Sequence, residues 1–281
     1  MTKPPGSKTK AQVWVVENGK VRSRSDQLAT EEPLEIRLVS PHKTVAVTMR
    51  TPGADFELAA GFLYSEGVVN TREDIERISY CVEPDVDGEQ RYNIVNVKLR
   101  EGLSLDLQPL ERHFFTTSAC GVCGKASLEA LRLRGCPVIS DILNVPVEVI
   151  YSLPDQLHSA QQIFSTTGGL HAAALFDAQG QLLSVREDVG RHNALDKLVG
   201  SALISDQLPL NNHIVMVSGR SSFEILQKCL AAGVPIVCAV SAPSSLAVAV
   251  AREFGITLVG FLRGERFNVY AGMERLRIAQ G

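Results

Sequence analysis

Two β-rich runs, Gln12 to Val16 and Leu34 to Val39, lead to Thr44 to Met49, where apolar and polar residues alternate with period two as in a strand with one buried face. Thr51-Pro52-Gly53 is a turn, Asp55 to Ser65 has the pattern of a helix ended by Glu66-Gly67, and Tyr92 to Leu99 is a further strand. Residues 11–112 therefore read as a small α+β unit. The polar residues 1–10, with Pro4, Pro5 and Gly6, read as a disordered arm before it.

The pattern changes in the second half. A helix is expected near Pro154 to Phe164, then Thr166-Thr167-Gly168-Gly169, a strand over Leu170 to Phe176, a hairpin turn at Asp177 to Gly180 and a strand from Gln181 to Val185. A helix around Asn193 to Val199 follows. Strand His213 to Ser218, helix Ser222 to Ala232, strand Pro235 to Val240, helix Ser245 to Phe254 and strand Ile256 to Leu262 then succeed one another. That spacing predicts crossover connections and a mostly parallel sheet in an α/β domain over 136–281.

At 281 residues, with 45% apolar and 21% charged positions, the chain has the balance of a globular protein and can fill one large core or two modest ones. A formal net charge of −3 gives no overall field for gripping nucleic acid or an anionic membrane. The uncharged stretch Cys229 to Ala251 is interrupted at Gly233, Pro235 and Pro243, so it reads as buried strand, loop and helix, not a membrane span. Met1 to Lys10 has three lysines and no apolar run behind them, so no secretory signal is expected, and a cytoplasmic location is.

In a parallel sheet the carboxyl ends of the strands share one edge, where ligands bind in open α/β folds. Three segments fall there: Ser218-Gly219-Arg220-Ser221-Ser222, Ser241-Ala242-Pro243-Ser244-Ser245, and Phe261-Leu262-Arg263-Gly264-Glu265-Arg266. Free backbone N–H groups at helix starts, hydroxyls, and Arg220, Arg263 and Arg266 predict a site for a phosphate-bearing ligand. Taken singly, Ser222 and Ser245 read equally as ordinary N-caps. No Walker A or Gly-x-Gly-x-x-Gly pattern is present. A fourth segment, Arg186 to Asn193, packs charge and imidazole together, and both a polar-ligand role and a helix-capping role fit it.

Cys120-Gly121-Val122-Cys123-Gly124-Lys125 carries the sharpest chemistry, in a segment over 113–135 expected to be mobile and to run into a helix from Ala126 to Arg134. A thiolate there gains from the helix start and Lys125, with His113 nearby in sequence. Cys81, Cys136, Cys229 and Cys238 supply no second pair for structural zinc, so no metal is expected. A thioredoxin-like exchanger places its motif in a different context, and a glycine-flanked polar loop is a poor place to bury inert thiols. The reading left is a cysteine that carries sulfur as a persulfide.

The chain resembles the FdhD-type formate dehydrogenase accessory proteins. The resemblance runs from about Val13 to Tyr270 on Cys120 to Gly124, Gly169 to Ala174, Glu187 to Leu198, Ala239 to Ala242 and Leu258 to Phe261. It implies a cytoplasmic sulfurtransferase that takes sulfur from a cysteine desulfurase and passes it to the bis-molybdopterin guanine dinucleotide form of the molybdenum cofactor, for formate dehydrogenase. It implies as well a C-terminal domain of cytidine deaminase-like topology and a homodimer. Residue by residue, Cys120 becomes the persulfide carrier, Cys123 its partner, and Phe261, Leu262, Arg263, Gly264, Glu265 and Arg266 a cofactor-binding segment. Ser218, Arg220 and Ser222 join them from the strand-end argument, and GDP is the expected mimic of the cofactor. The alternative is a non-catalytic chaperone that delivers the same cofactor. Deamination is not expected, because His171 is followed by Ala172 and Ala173 and Ala119 precedes the C-x-x-C, so the His-x-Glu and Pro-Cys-x-x-Cys chemistry is missing.

Overall fold

The computed structural model describes residues 4–83, 86–88, 90–103, 128–129, 131–132, 135–140 and 143–278. The chain opens with a two-stranded antiparallel ribbon, β1 (Lys8–Glu17) and β2 (Lys20–Ala29). Asn18 and Gly19 form its two-residue turn, with φ of 51° and 74°, matching the right-handed twist of the strands they join. The arm expected over residues 1–10 is thus shorter, because Lys8 to Lys10 already pair with Gln27 to Ala29.

A four-stranded sheet follows, in the order β4 (Lys43–Arg50), β3 (Glu32–Leu38), β6 (Ile94–Leu99), β5 (Ile75–Tyr80). Helix α1 (Asp55–Ser65) covers it, burying Leu58, Ala59 and Leu63 against Leu34, Ile36, Leu38, Val95 and Val97. This is the α+β unit that the alternation predicts.

The larger unit contains β7 (Val145–Pro146), α2 (Val147–Ala160), α3 (Phe164–Thr167), β8 (His171–Phe176), β9 (Leu182–Asp188), α4 (Arg191–Ile204) and β10 (Ile214–Val217). It continues with α5 (Phe223–Ala231), β11 (Ile236–Ala239), α6 (Ser245–Phe254), β12 (Thr257–Arg263), β13 (Arg266–Ala271) and β14 (Leu276–Arg277). Six strands form one sheet in the order β13-β12-β11-β10-β8-β9. Its inner residues alternate between two cores. Leu175, Val215, Val217 and Val237 meet α4, α5 and α6 on one face, while Ala174, Phe176, Met216 and Cys238 meet α2 on the other.

The sheet is mixed, not mostly parallel. Only β10, β11 and β12 run parallel, and β8, β9 and β13 are antiparallel to their neighbours. The cause is local, since connections as short as Asp177–Gln181 and Gly264-Glu265 can join only antiparallel strands. No helix among the described residues is long and apolar enough to cross a membrane.

The two units meet along α1 and α4, whose backbones touch. A Cβ on Gly61 would lie 1.9 Å from the Asp196 carbonyl oxygen, and one on Gly200 would lie 1.8 Å from that of Glu57. Buried charges span the same joint. Lys197 pairs with Asp188 at 2.7 Å and donates to the Thr51 carbonyl at 2.8 Å, and the Thr51 N–H donates to Asp188 at 3.1 Å. Lys228 donates to Asp196 at 2.8 Å, and Ser65 donates to the same carboxylate at 3.1 Å. Each of these buried ions is paired and hydrogen-bonded, which is what permits its burial.

Candidate functional site at the strand ends

The three segments expected at one edge do converge. Ser221 forms an isolated parallel bridge with Pro243, the Ser244 N–H donates to the Ser221 carbonyl at 2.9 Å, and the Phe261 N–H donates to the Ser241 carbonyl at 3.2 Å. Beside them lies a cavity of about 760 Å³ lined by Ser218, Val240, Leu262, Arg263 and Gly264, with Gly168, Gly169 and His171 facing them and Asp155 and His158 contributed by α2. Its size is that of a cofactor or drug-sized ligand site.

Ser218 follows β10 directly and is fixed by β8: its hydroxyl accepts the Ala172 N–H at 2.9 Å, and its own N–H donates to the Ala172 carbonyl at 3.0 Å. The hydroxyl proton is left for a ligand. The last expected segment is a hairpin and not a crossover loop: Arg263 pairs with Arg266 across the Gly264-Glu265 turn, and Gly264 has φ of 51°. Phe261 interrupts the ladder at a bulge with φ of 54°, a left-handed conformation costly for an aromatic residue, and remains 42% exposed. Arg263, Glu265 and Arg266 are exposed on the same hairpin.

Of the expected residues, Ser218, Leu262, Arg263 and Gly264 line this cavity, whereas Arg220 is exposed beyond it and Ser222 turns elsewhere. Ser222 is the N-cap residue of α5, yet its hydroxyl shares a hydrogen bond with His192 Nε2 at 3.2 Å instead of capping the helix. For α6 the cap is Ser244, one residue before the expected Ser245, with its oxygen accepting the Ala247 N–H at 3.2 Å. Cys120, Cys123, His113 and Lys125 lie outside the described residues.

His171 and the Gly168-Gly169 turn are the site residues that the strand-end argument overlooked. That argument considered only carboxyl ends, but β8 is antiparallel to β10 and so brings its amino end to the same edge. Burial, then the charge of Arg191, hold the His171 imidazole below its usual pKa, with Asp188 opposing. For two of the described cysteines the pKa moves the other way. Burial pushes Cys229 up to about 12 and Cys238 higher still, so neither offers a thiolate at neutral pH.

The model of the FdhD/NarQ family matches residues 29–277. The chain belongs to that family. It is 54% identical to the sulfur carrier protein FdhD of Streptomyces avermitilis over 94% of this chain and 93% of that one. It is 44% identical to the sulfur carrier protein FdhD of Saccharolobus solfataricus over 93% and 95%. A crystal structure of a protein assigned as a formate dehydrogenase accessory protein, from Desulfotalea psychrophila, superposes with a TM-score of 0.74 at 26% identity, covering 96% of this chain and 99% of that one. Within the family, the match begins at the end of β2, so the ribbon stands almost wholly ahead of the matched span.

Proposed function

We infer that the chain is a sulfur carrier and sulfurtransferase acting in formate dehydrogenase maturation. Its near relatives carry that name over almost their whole length, and the strand-end cavity has the size and donors that a phosphate-bearing ligand requires. In this reading Cys120 accepts sulfane sulfur from a cysteine desulfurase as a persulfide and Cys123 assists. The acceptor is the bis-molybdopterin guanine dinucleotide cofactor, lodged at the cavity by Ser218 and by the hairpin segment from Phe261 to Arg266, with Arg220 and Ser222 lying outside its lining. The high thiol pKa of Cys229 and Cys238 supports leaving the sulfur chemistry to the C-x-x-C pair.

The finer architecture belongs to the same proposal: a cytidine deaminase-like topology over 136–281, a smaller unit over 11–112, the segment 113–135 between them, and a cytoplasmic homodimer. The observation that carries the reading is the cavity at the strand ends, lined by Ser218 and by Leu262, Arg263 and Gly264 of the last expected segment, in a chain with these relatives. Incubation with a cysteine desulfurase and cysteine should add one sulfur atom to the intact mass, mapped by peptide analysis to Cys120 and absent from Cys120→Ser. A Cys120→Ser protein that still matures formate dehydrogenase in cells would instead favour a chaperone that delivers the cofactor without sulfur transfer.

A further inference from the structure

Arg191 opens α4, and its Nε is buried with no hydrogen-bond partner among the described residues. A buried guanidinium N–H left unpaired is costly, and native proteins rarely keep one without a use for it. The helix makes the position worse: α4 has no acidic residue in its first turn, and its N-cap, Gly190, supplies no side chain. A cation therefore sits at the positive end of a helix, where an anion is the stabilising partner.

The neighbouring carboxylates do not accept from that Nε, although Glu224 feels the Arg191 charge. Asp188 is taken by Lys197 at 2.7 Å and accepts the N–H groups of Thr51, Gly190 and Asn193. Glu224 is 53% exposed and lies 3.8 Å from His192 Nε2. Lys228, the other cation facing His192, is paired with Asp196. Two imidazoles complete the surroundings. Burial and then Arg191 hold both His171 and His192 neutral at pH 7, so each has one N–H and one bare nitrogen. Gly219 stands beside both side chains: a Cβ there would meet His171 Nδ1 at 3.3 Å and Arg191 Cδ at 3.9 Å, and His171 lines the cavity with Ser218, so Arg191 lies just behind a lining residue.

We propose that Arg191 and His171, at the start of α4, bind a phosphoryl group of the ligand in the strand-end cavity, as a second anion subsite beside the Arg263–Arg266 hairpin. The proposal rests on the guanylated-cofactor reading, since a bis-dinucleotide ligand carries a pyrophosphate on each arm and needs more than one place for them. A phosphoryl oxygen supplies the acceptor that the Arg191 Nε–H lacks, and the neutral imidazole supplies a further donor without adding a competing charge.

Calorimetry on the full chain with GDP, guanosine and inorganic pyrophosphate tests it. Arg191→Ala should weaken GDP and pyrophosphate binding about tenfold or more and leave guanosine unchanged, with Arg191→Lys recovering only part of the loss. Arg263→Ala with Arg266→Ala should weaken GDP separately. The ligand-free Arg191→Ala protein should melt no lower than the wild type, and its His171 and His192 ring resonances should titrate at higher pH. Unchanged GDP affinity in Arg191→Ala, with a loss in the Arg263/Arg266 pair, overturns the subsite and leaves the cofactor reading standing. A wild type that binds neither GDP nor pyrophosphate overturns both. A lower melting temperature for ligand-free Arg191→Ala makes Arg191 a structural residue and also overturns the subsite.

Discussion

At the scale of single residues, His192 couples the surroundings of the site to stability. Burial, followed by Arg191, depresses its pKa to about 4 against the ordinary 6.5, with Glu224 pulling the other way. Between those values the unfolded chain binds a proton that the native state refuses, so stability rises with pH across the window and is lost as pH falls from about 6.5 towards 4. His171 and His213, also depressed chiefly by burial, act in the same sense. The melting temperature should therefore be level above neutrality and fall between pH 6.5 and 4, and His192→Gln should flatten that fall without abolishing it. An unaltered slope in the variant would place the acid sensitivity at other groups. His192 belongs to a charge-rich segment that the sequence left open between two roles, and the structure divides the work by residue. Asp188 and Asn193 serve the buried joint, whereas Arg191 lies near Gly219 and His171, of which His171 lines the cavity.

At the scale of elements, the crossing of α1 and α4 depends on two positions that can carry no side chain. Gly61→Ala or Gly200→Ala forces the helices apart against backbone atoms, which cannot rotate away as a side-chain tip can, so a loss of about 3 kcal/mol or failure to fold is expected. Denaturant midpoints would read it; a loss under about 0.5 kcal/mol would mean that the helices separate freely. The strands and helices that could be read from the sequence are those with a strong apolar pattern, one-sided in α5 and α6 and continuous in β8 and β11, whose two faces each meet a core. Lys20–Ala29 is polar on both faces and is a strand only because β1 supplies its ladder, despite the Asn18-Gly19 turn between them. Helix α2 begins at Val147, ahead of the expected Pro154, because Val147, Ile150, Leu153 and Leu157 form one buried stripe that carries the helix through the proline. Part of the site was legible: Ser218 follows β10, and Leu262, Arg263 and Gly264, which line the cavity with it, belong to a segment that begins inside β12. Its opposite wall was not, because strand direction is a property of the whole sheet and no local pattern marks β8 as antiparallel.

At the scale of the whole molecule, the cavity is bounded by elements far apart in the chain: the amino end of β8, the carboxyl ends of β10 and β11, and the β12–β13 hairpin. The ribbon stands at its side. Lys8 Nζ donates to Thr166 Oγ1 at 3.1 Å, and a Cβ on Gly169 would lie 3.9 Å from Ala29 Cβ, so the base of the ribbon abuts the glycine turn that lines the cavity. From that base, β1 and β2 run to a tip with little covering either face, and Trp14 is 74% exposed. Trp14 is also the single tryptophan of the chain. Its indole already meets water in the native state, so the emission maximum should lie to the red before any denaturant is added and shift little as the core melts, while circular dichroism reports a full transition. The same fluorophore becomes a clean reporter of docking: a blue shift on adding a partner would place that partner on the ribbon, and an unchanged spectrum would place it elsewhere.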